Sequence, residues 1–159
     1  MPTNKIVVNA SPLIILCKCD LEVLLPQLFQ EVVIPQAVWN EIEVGKDVAS
    51  EKVGAAPWLR REQINIQDEV AVWNLGAGES EVLAFSLSNP EFRAVIDDRA
   101  ARICAKTLSI HTFGTGALLV LAKKQGLIES VVQCINKLET AGLFISSTVA
   151  DTLIDQAGE

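Results

Sequence analysis

Histidine occurs once in this chain, at His111. That scarcity leaves one imidazole for any Ser-His-Asp or Cys-His nucleophile set, and we read His111, in the strand-like run SIHTF, as structural. Cysteine is sparse as well: Cys17, Cys19, Cys104 and Cys134. Cys17 and Cys19 are too close together for a zinc knuckle and the other two are far apart, so the expectation is buried thiols in a reducing compartment. Basic residues are few, 13 against 20 acidic, giving a net charge of −7. That is the wrong sign for a protein that holds nucleic acid by surface charge alone. A bound cation can supply positive charge locally, and an acidic body suits a basic protein partner. No apolar run reaches the length of a membrane span; the longest, such as GALLVLA, are core-sized. A strand pattern begins after four residues and leaves no room for a signal peptide. We expect a cytosolic protein with no membrane segment.

Half of the 159 residues are hydrophobic, enough for one domain with one core, taken as residues 1–159. Short Val- and Ile-rich runs predict strands at Lys5–Asn9, Glu31–Ile34, Gln63–Ile66, Ala94–Ile96 and Ile110–Thr112. Helical patterns fall between them. Ser11-Pro12 reads as a cap and first turn, Asp20 as the cap of a short helix Leu21–Leu25 ended by Pro26, and Gln36–Val44 and Val48–Leu59 as helices. Further helices are expected at Glu79–Leu87, Asp98–Thr107, Ala117–Gln125, Ser130–Thr140 and Ser146–Gln156. Alternating strands and helices predict an α/β fold with a parallel sheet covered on both faces, its site at the carboxyl ends of the strands.

Several acidic or amide side chains fall at such ends. Asn9 closes the first strand, Glu41 lies on the second turn of a helix, Glu79 follows Gly76-Ala77-Gly78, and Asp97-Asp98 follow the buried run AVI. Each has a plainer reading. Asn9 and Ser11 are turn formers, Glu41 suits a solvated helix face, Glu79 complements a helix dipole, and Asp98 caps the next helix. Two adjacent acids repel unless a cation is near, and Arg99 or Arg102 could offset them. Gly78 before a carboxylate lets backbone approach a ligand closely, whereas Glu81 is expected in solvent. Gly114-Thr115-Gly116 lacks the Lys-Ser/Thr of a nucleotide loop but can offer backbone N–H groups to a phosphate. An all-oxygen set of this kind suits Mg²⁺ or Mn²⁺ and phosphodiester hydrolysis.

Five pieces in order, VVNASPLI, IPQAVWNE, GAGESEVLA, IDDRAAR and GTGALLVLAKKQGLI, resemble a signature that reads VV(D/N)xSPLI, IPxxVxxE, GxGExExxA, IDDxxAR and GTxGxLxxAKxxGLI. It is that of a VapC-related branch of the PIN-domain superfamily of ribonucleases. The likeness runs from about Val7 to about Ile128, and Ala117 stands where the pattern has its second glycine. It implies a three-layer α/β/α PIN-like fold and an acidic cluster that holds Mg²⁺ or Mn²⁺ and hydrolyses RNA. The acidic positions fall on Asn9, Glu41, Glu79 and either Asp97 or Asp98, with Ser11 and Thr115 as supporting polar positions. Glu79 and one aspartate would bind the metal directly, and Glu41 would bind it through water or help orient the attacking water. A small antitoxin partner and a homodimer are also implied, with an apolar dimer patch expected near Leu13–Leu25 or on the closing helices. Asn at the first acidic position supplies a neutral oxygen and weakens the site by one charge. A catalytically silent PIN-like protein that binds RNA or an antitoxin is the alternative.

Overall fold

Three runs of branched apolar residues end up in the middle of the sheet because both of their faces are covered. Ile6, Val7 and Val8, then Val32, Val33 and Ile34, then Ala94, Val95 and Ile96 are all buried. Such uninterrupted runs are characteristic of parallel strands between two helix layers. Each large side chain so buried contributes about 1.5–3 kcal/mol. A computed structural model describes residues 5–159. Its elements are β1 (Lys5–Val8), α1 (Ala10–Lys18), α2 (Leu24–Leu28), β2 (Glu31–Pro35), α3 (Gln36–Gly45), α4 (Val48–Gly54) and β3 (Leu59–Glu62), followed by α5 (Asp68–Ala71), α6 (Ala77–Ser88), β4 (Phe92–Val95), α7 (Arg99–Thr107), β5 (Thr112–Phe113), α8 (Thr115–Lys124), α9 (Val131–Thr140) and α10 (Ser147–Gln156).

The five strands form one sheet in the order β3-β2-β1-β4-β5, and every pairing is parallel. The chain builds outward from β1 to β3 and then returns to the other side of β1. The strand order therefore reverses between β1 and β4, and in open parallel sheets the carboxyl edge at such a reversal is where ligands bind. Helices α1, α3, α4 and α6 pack together, as do α8, α9 and α10 with α2 beside them. The three-layer α/β/α expectation is met. No helix among the described residues is long and apolar enough to cross a membrane.

Several local expectations are corrected. The third strand is Leu59–Glu62, not Gln63–Ile66. β3 is an edge strand with half-buried ends, so it lacks the apolar run that marks a central one. Arg61 is held 3.7 Å over the Trp39 ring, which ties β3 to α3 through a cation–π contact. The helix expected at Leu21–Leu25 is α2, begins at Leu24 and contains Pro26 in its first turn, where proline needs no N–H partner. Asp20 does not cap it; Asp20 sits at φ 56° and pairs with Lys52. Ser11 does not cap α1 either, because that position is Asn9. The one-turn helix α5 had no sequence expectation. Leu13, Leu16, Leu21, Leu24 and Leu25 all turn into the core, and Val23 is the exposed large apolar side chain of this stretch. On the closing segments the exposed apolar side chains are Val132, Phe144 and Val149.

Cys17, Cys104 and Cys134 are buried free thiols, with Cys19 half-buried. Burial, and secondarily the charge of Glu22, pushes the Cys17 thiol up to about 12. It is therefore a core residue and a poor nucleophile.

The C-terminal layer depends on one close approach. A Cβ placed on Gly116 would lie 2.4 Å from Leu153 Cδ1, so any side chain at residue 116 would force Leu153 of α10 to shift. Gly116→Val is expected to destabilise the chain by about 1–3 kcal/mol through overpacking. Leu153→Ala added to Gly116→Val should recover part of that loss in urea unfolding. Additive losses in the double variant would mean that the two residues do not press on each other.

Candidate functional site

The ends of β1 and β4 are locked side by side. The Asn9 backbone N–H donates to Val95 O at 3.0 Å, continuing the β1–β4 pairing by one residue. Ile96 does the same on the other side of β4, donating to Phe113 O at 2.9 Å. Asn9 and Asp97 thus leave adjacent strands at the reversal point of the sheet. α8 starts immediately after β5, so Thr115 arrives at the same edge.

Asn9 is 3 % exposed and holds the N-cap position of α1, yet its side chain accepts no capping hydrogen bond. A turn-forming asparagine would use its oxygen there. Here the oxygen turns towards α6: a Cβ built on Gly78 would lie 3.3 Å from Asn9 Oδ1 and 3.4 Å from Glu41 Oε1. One amide oxygen and one carboxylate oxygen therefore converge on a backbone position that carries no side chain. Gly78 belongs to the first turn of α6 rather than to the loop before it.

Glu41 reaches this point from α3. That helix starts at the carboxyl edge directly after β2, and its Cα–Cβ bonds tilt back towards that start. Glu41 is exposed, and so is Gly45 one turn on, as on a solvated helix face. Its carboxyl end nevertheless tucks in towards buried Gly78. Burial of that group, and then the charge of Glu79, raises Glu41 above the ordinary carboxylate range. Two like charges held together in this way are what a cation relieves.

Glu79 is half-buried and folds back over its own helix start, where a Cβ on Gly76 would meet its Oε2 at 2.6 Å. Asp97 is held beyond the end of β4. Its Oδ1 accepts from the Thr115 backbone N–H at 2.8 Å and its Oδ2 from the Thr115 hydroxyl at 2.5 Å. A carboxylate has about four lone-pair positions, so two remain on Asp97. Thr115 is fully buried and fixes the orientation of that carboxylate. Asp98 is exposed and caps α7, accepting from the Ala101 N–H at 2.9 Å. Ser11 is exposed on the first turn of α1. Neither Arg99 nor Arg102 forms an ion pair with these aspartates among the described residues.

The sequence-derived positions thus fall into two neighbouring sets. Asn9, Glu41 and Glu79 gather around the start of α6, and Asp97 stands with Thr115 at the start of α8. Among the described residues no group of three carboxylate, histidine or cysteine side chains is drawn together closely enough to hold a metal ion. The donors are nevertheless all oxygens, and two of them meet over a glycine. That chemistry fits a small hard cation that keeps part of its water shell.

One positioning residue escaped the sequence reading. Glu81 is not in solvent: its Oε1 accepts the Ala37 N–H at 3.2 Å, at the start of α3. It ties the helix that carries Glu79 to the helix that carries Glu41. The available signal was Pro35, after which α3 begins with N–H groups that need acceptors.

A family model described as a PIN domain matches residues 5–159. No curated protein and no solved structure matches the chain.

Proposed function

The chain belongs to the PIN-domain family, and from that premise we propose that it is a metal-dependent endoribonuclease of the VapC type, the toxin of a toxin–antitoxin pair. The observation that carries the reading is the convergence of Asn9 Oδ1 and Glu41 Oε1 on Gly78, with Glu79 on the same helix turn and Asp97 at the end of the adjacent strand. PIN domains generally use divalent metals. Asn9, Glu41, Glu79 and Asp97 would hold Mg²⁺ or Mn²⁺ here. The ion when bound supplies an activated water and stabilises the leaving oxygen of a phosphodiester.

The protein's own groups have separate tasks. Thr115 fixes the Asp97 carboxylate by two hydrogen bonds. Glu81 keeps α3 and α6 in register. Gly78 leaves the space in which the oxygens face one another. Glu41, raised by burial and by Glu79, is suited to bind a water and to take a proton from it. Asp98 caps α7, which favours Asp97 as the ligand of the pair.

The alternative, a PIN-like protein that binds RNA or an antitoxin without cleaving, is favoured by one residue. Asn9 is neutral where the signature also allows aspartate. The two readings separate in a matched comparison of the natural chain and Asn9→Asp. The substitution is nearly isosteric and adds a charge beside the cation. Such a pair is worth up to about 4 kcal/mol at about 4 Å and an effective dielectric near 20, before repulsion among the carboxylates is subtracted. A net gain of about 1.4 kcal/mol raises Mn²⁺ affinity tenfold, and ribonuclease activity on a mixed RNA pool should rise with it. If neither protein binds Mn²⁺ or cleaves RNA, the non-catalytic reading holds. If both are equally active, Asn9 is not a ligand.

A further inference from the structure

Asp97 also lines a groove of about 550 Å³ between α7 and the approach to β5, together with Arg99, Arg102, Ile103, Lys106 and His111 among others. In a chain of net charge −7 this is an unusual concentration of cations. Arg99, Arg102 and Lys106 are three, four and seven residues apart, which places them along one face of α7. All three are exposed, and among the described residues none forms an ion pair. Lys5, Lys52, Arg60 and Lys123 do. The row begins beside the site: a Cβ on Gly114 would lie 3.2 Å from Asp97 Oδ1 and 3.5 Å from Arg102 Nη1.

We infer that this α7 groove binds the sugar–phosphate backbone of single-stranded RNA and delivers it to Asp97 from the β5 side of the sheet. The inference rests on the ribonuclease reading for the site and adds where the substrate lies. From Arg99 to Lys106 the helix rises about 10 Å, a length that spans more than one phosphate of an extended single strand. The opposite approach, over α3 and the start of α6, presents the carboxylates of Glu41 and Glu79, which repel a polyanion. Ile103 is 49 % exposed between the cations, and His111 is exposed on the facing wall. An apolar side chain and an imidazole offer faces to unstacked bases, which a duplex keeps inside. The substrate is therefore gripped on one side of the scissile phosphate, by contacts that carry little sequence information.

The test is fluorescence anisotropy of the full chain with a labelled single-stranded RNA of mixed sequence, in chelator so that no cleavage occurs, over a series of KCl concentrations. Arg99→Ala with Lys106→Ala should weaken binding at least tenfold. The log–log salt slope should flatten by about 1.4, which is about 0.7 for each phosphate that the variant no longer neutralises. Lys18→Ala with Lys137→Ala removes the same charge from a different surface depression and should leave affinity within twofold. Equal losses in the two double variants would overturn the inference, because binding would then follow net charge alone. A natural chain that ignores RNA but binds a glutamate-rich peptide through Arg99 and Lys106 would also overturn it, making the groove a protein dock. RNA binding that depends on the groove, in a chain that neither as it stands nor as Asn9→Asp cleaves RNA with Mn²⁺, supports the groove while removing the ribonuclease reading.

Discussion

Glu79→Gln is expected to lower Mn²⁺ affinity at least a hundredfold and to abolish metal-dependent RNA cleavage, with little effect on folding. The substitution keeps the shape of the side chain and removes one negative charge. At about 4 Å and an effective dielectric near 20 that charge is worth up to about 4 kcal/mol against a cation. Relief of its repulsion with Glu41 returns part of this. A remainder of about 2.7 kcal/mol is a hundredfold in affinity. The cost to the fold is smaller. Glu79 lies in the first turn of α6, where its charge complements the helix dipole by about 0.3–1 kcal/mol. Calorimetric titration with Mn²⁺ checks the affinity, and urea unfolding checks the fold. Equal Mn²⁺ affinity in the natural chain and in Glu79→Gln would remove Glu79 from the site.

A second large effect is expected from the smallest substitution available, Gly78→Ala. The added methyl would sit 3.3 Å from Asn9 Oδ1, 3.4 Å from Glu41 Oε1 and 3.6 Å from Val38 Cγ2. Those distances are tight rather than forbidding, so the oxygens move by a few tenths of an ångström and the chain still folds. Alanine inside a helix is also favoured over glycine by about 0.8–1 kcal/mol. Stability should therefore be unchanged or slightly higher. Function should not be: displacement of catalytic groups by about 1 Å costs on the order of a hundredfold. The expected signature is a raised or equal unfolding midpoint together with a roughly tenfold loss of Mn²⁺-dependent RNA cleavage, less than a full ångström would cost. A Gly78→Ala protein with full activity would show that the convergence of Asn9 and Glu41 is not where the reaction occurs.

The central strands were legible because a strand buried on both faces must be apolar throughout, as VVI and AVI are. β3 was not. Its residues Leu59-Arg60-Arg61-Glu62 pair along only one edge, and charged side chains are tolerated there. The neighbouring Gln63–Ile66 has the composition of a strand but pairs with nothing. The site was legible wherever a residue owes its place to its own element. Asn9 follows β1, Glu79 starts α6, and Gly78 was expected at a close approach. It was not legible where a partner comes from elsewhere in the chain. Glu81 bonds to Ala37, a helix start that no local pattern connects to it. The Asp97–Asp98 choice likewise depends on Thr115, which arrives through β5. Ion pairing of Arg99 or Arg102 with the two aspartates was a local inference; Arg102 comes near Asp97 at Gly114, but neither arginine forms an ion pair among the described residues.

The pairing of β1 with β4 also sets when the site can exist. Lys5 aligns with Phe92 and Val8 with Val95, so the strands that present Asn9 and Asp97 are distant in the chain and close in the sheet. Contacts of long sequence separation form late and slowly, because the intervening loop must close first. A chain that has only just passed β3 during synthesis already carries Asn9 and Glu41, but neither Glu79 nor the strand that brings Asp97. Such a nascent fragment holds only half of the candidate side chains. The candidate site is complete only when β4 docks beside β1, after most of the polypeptide has emerged.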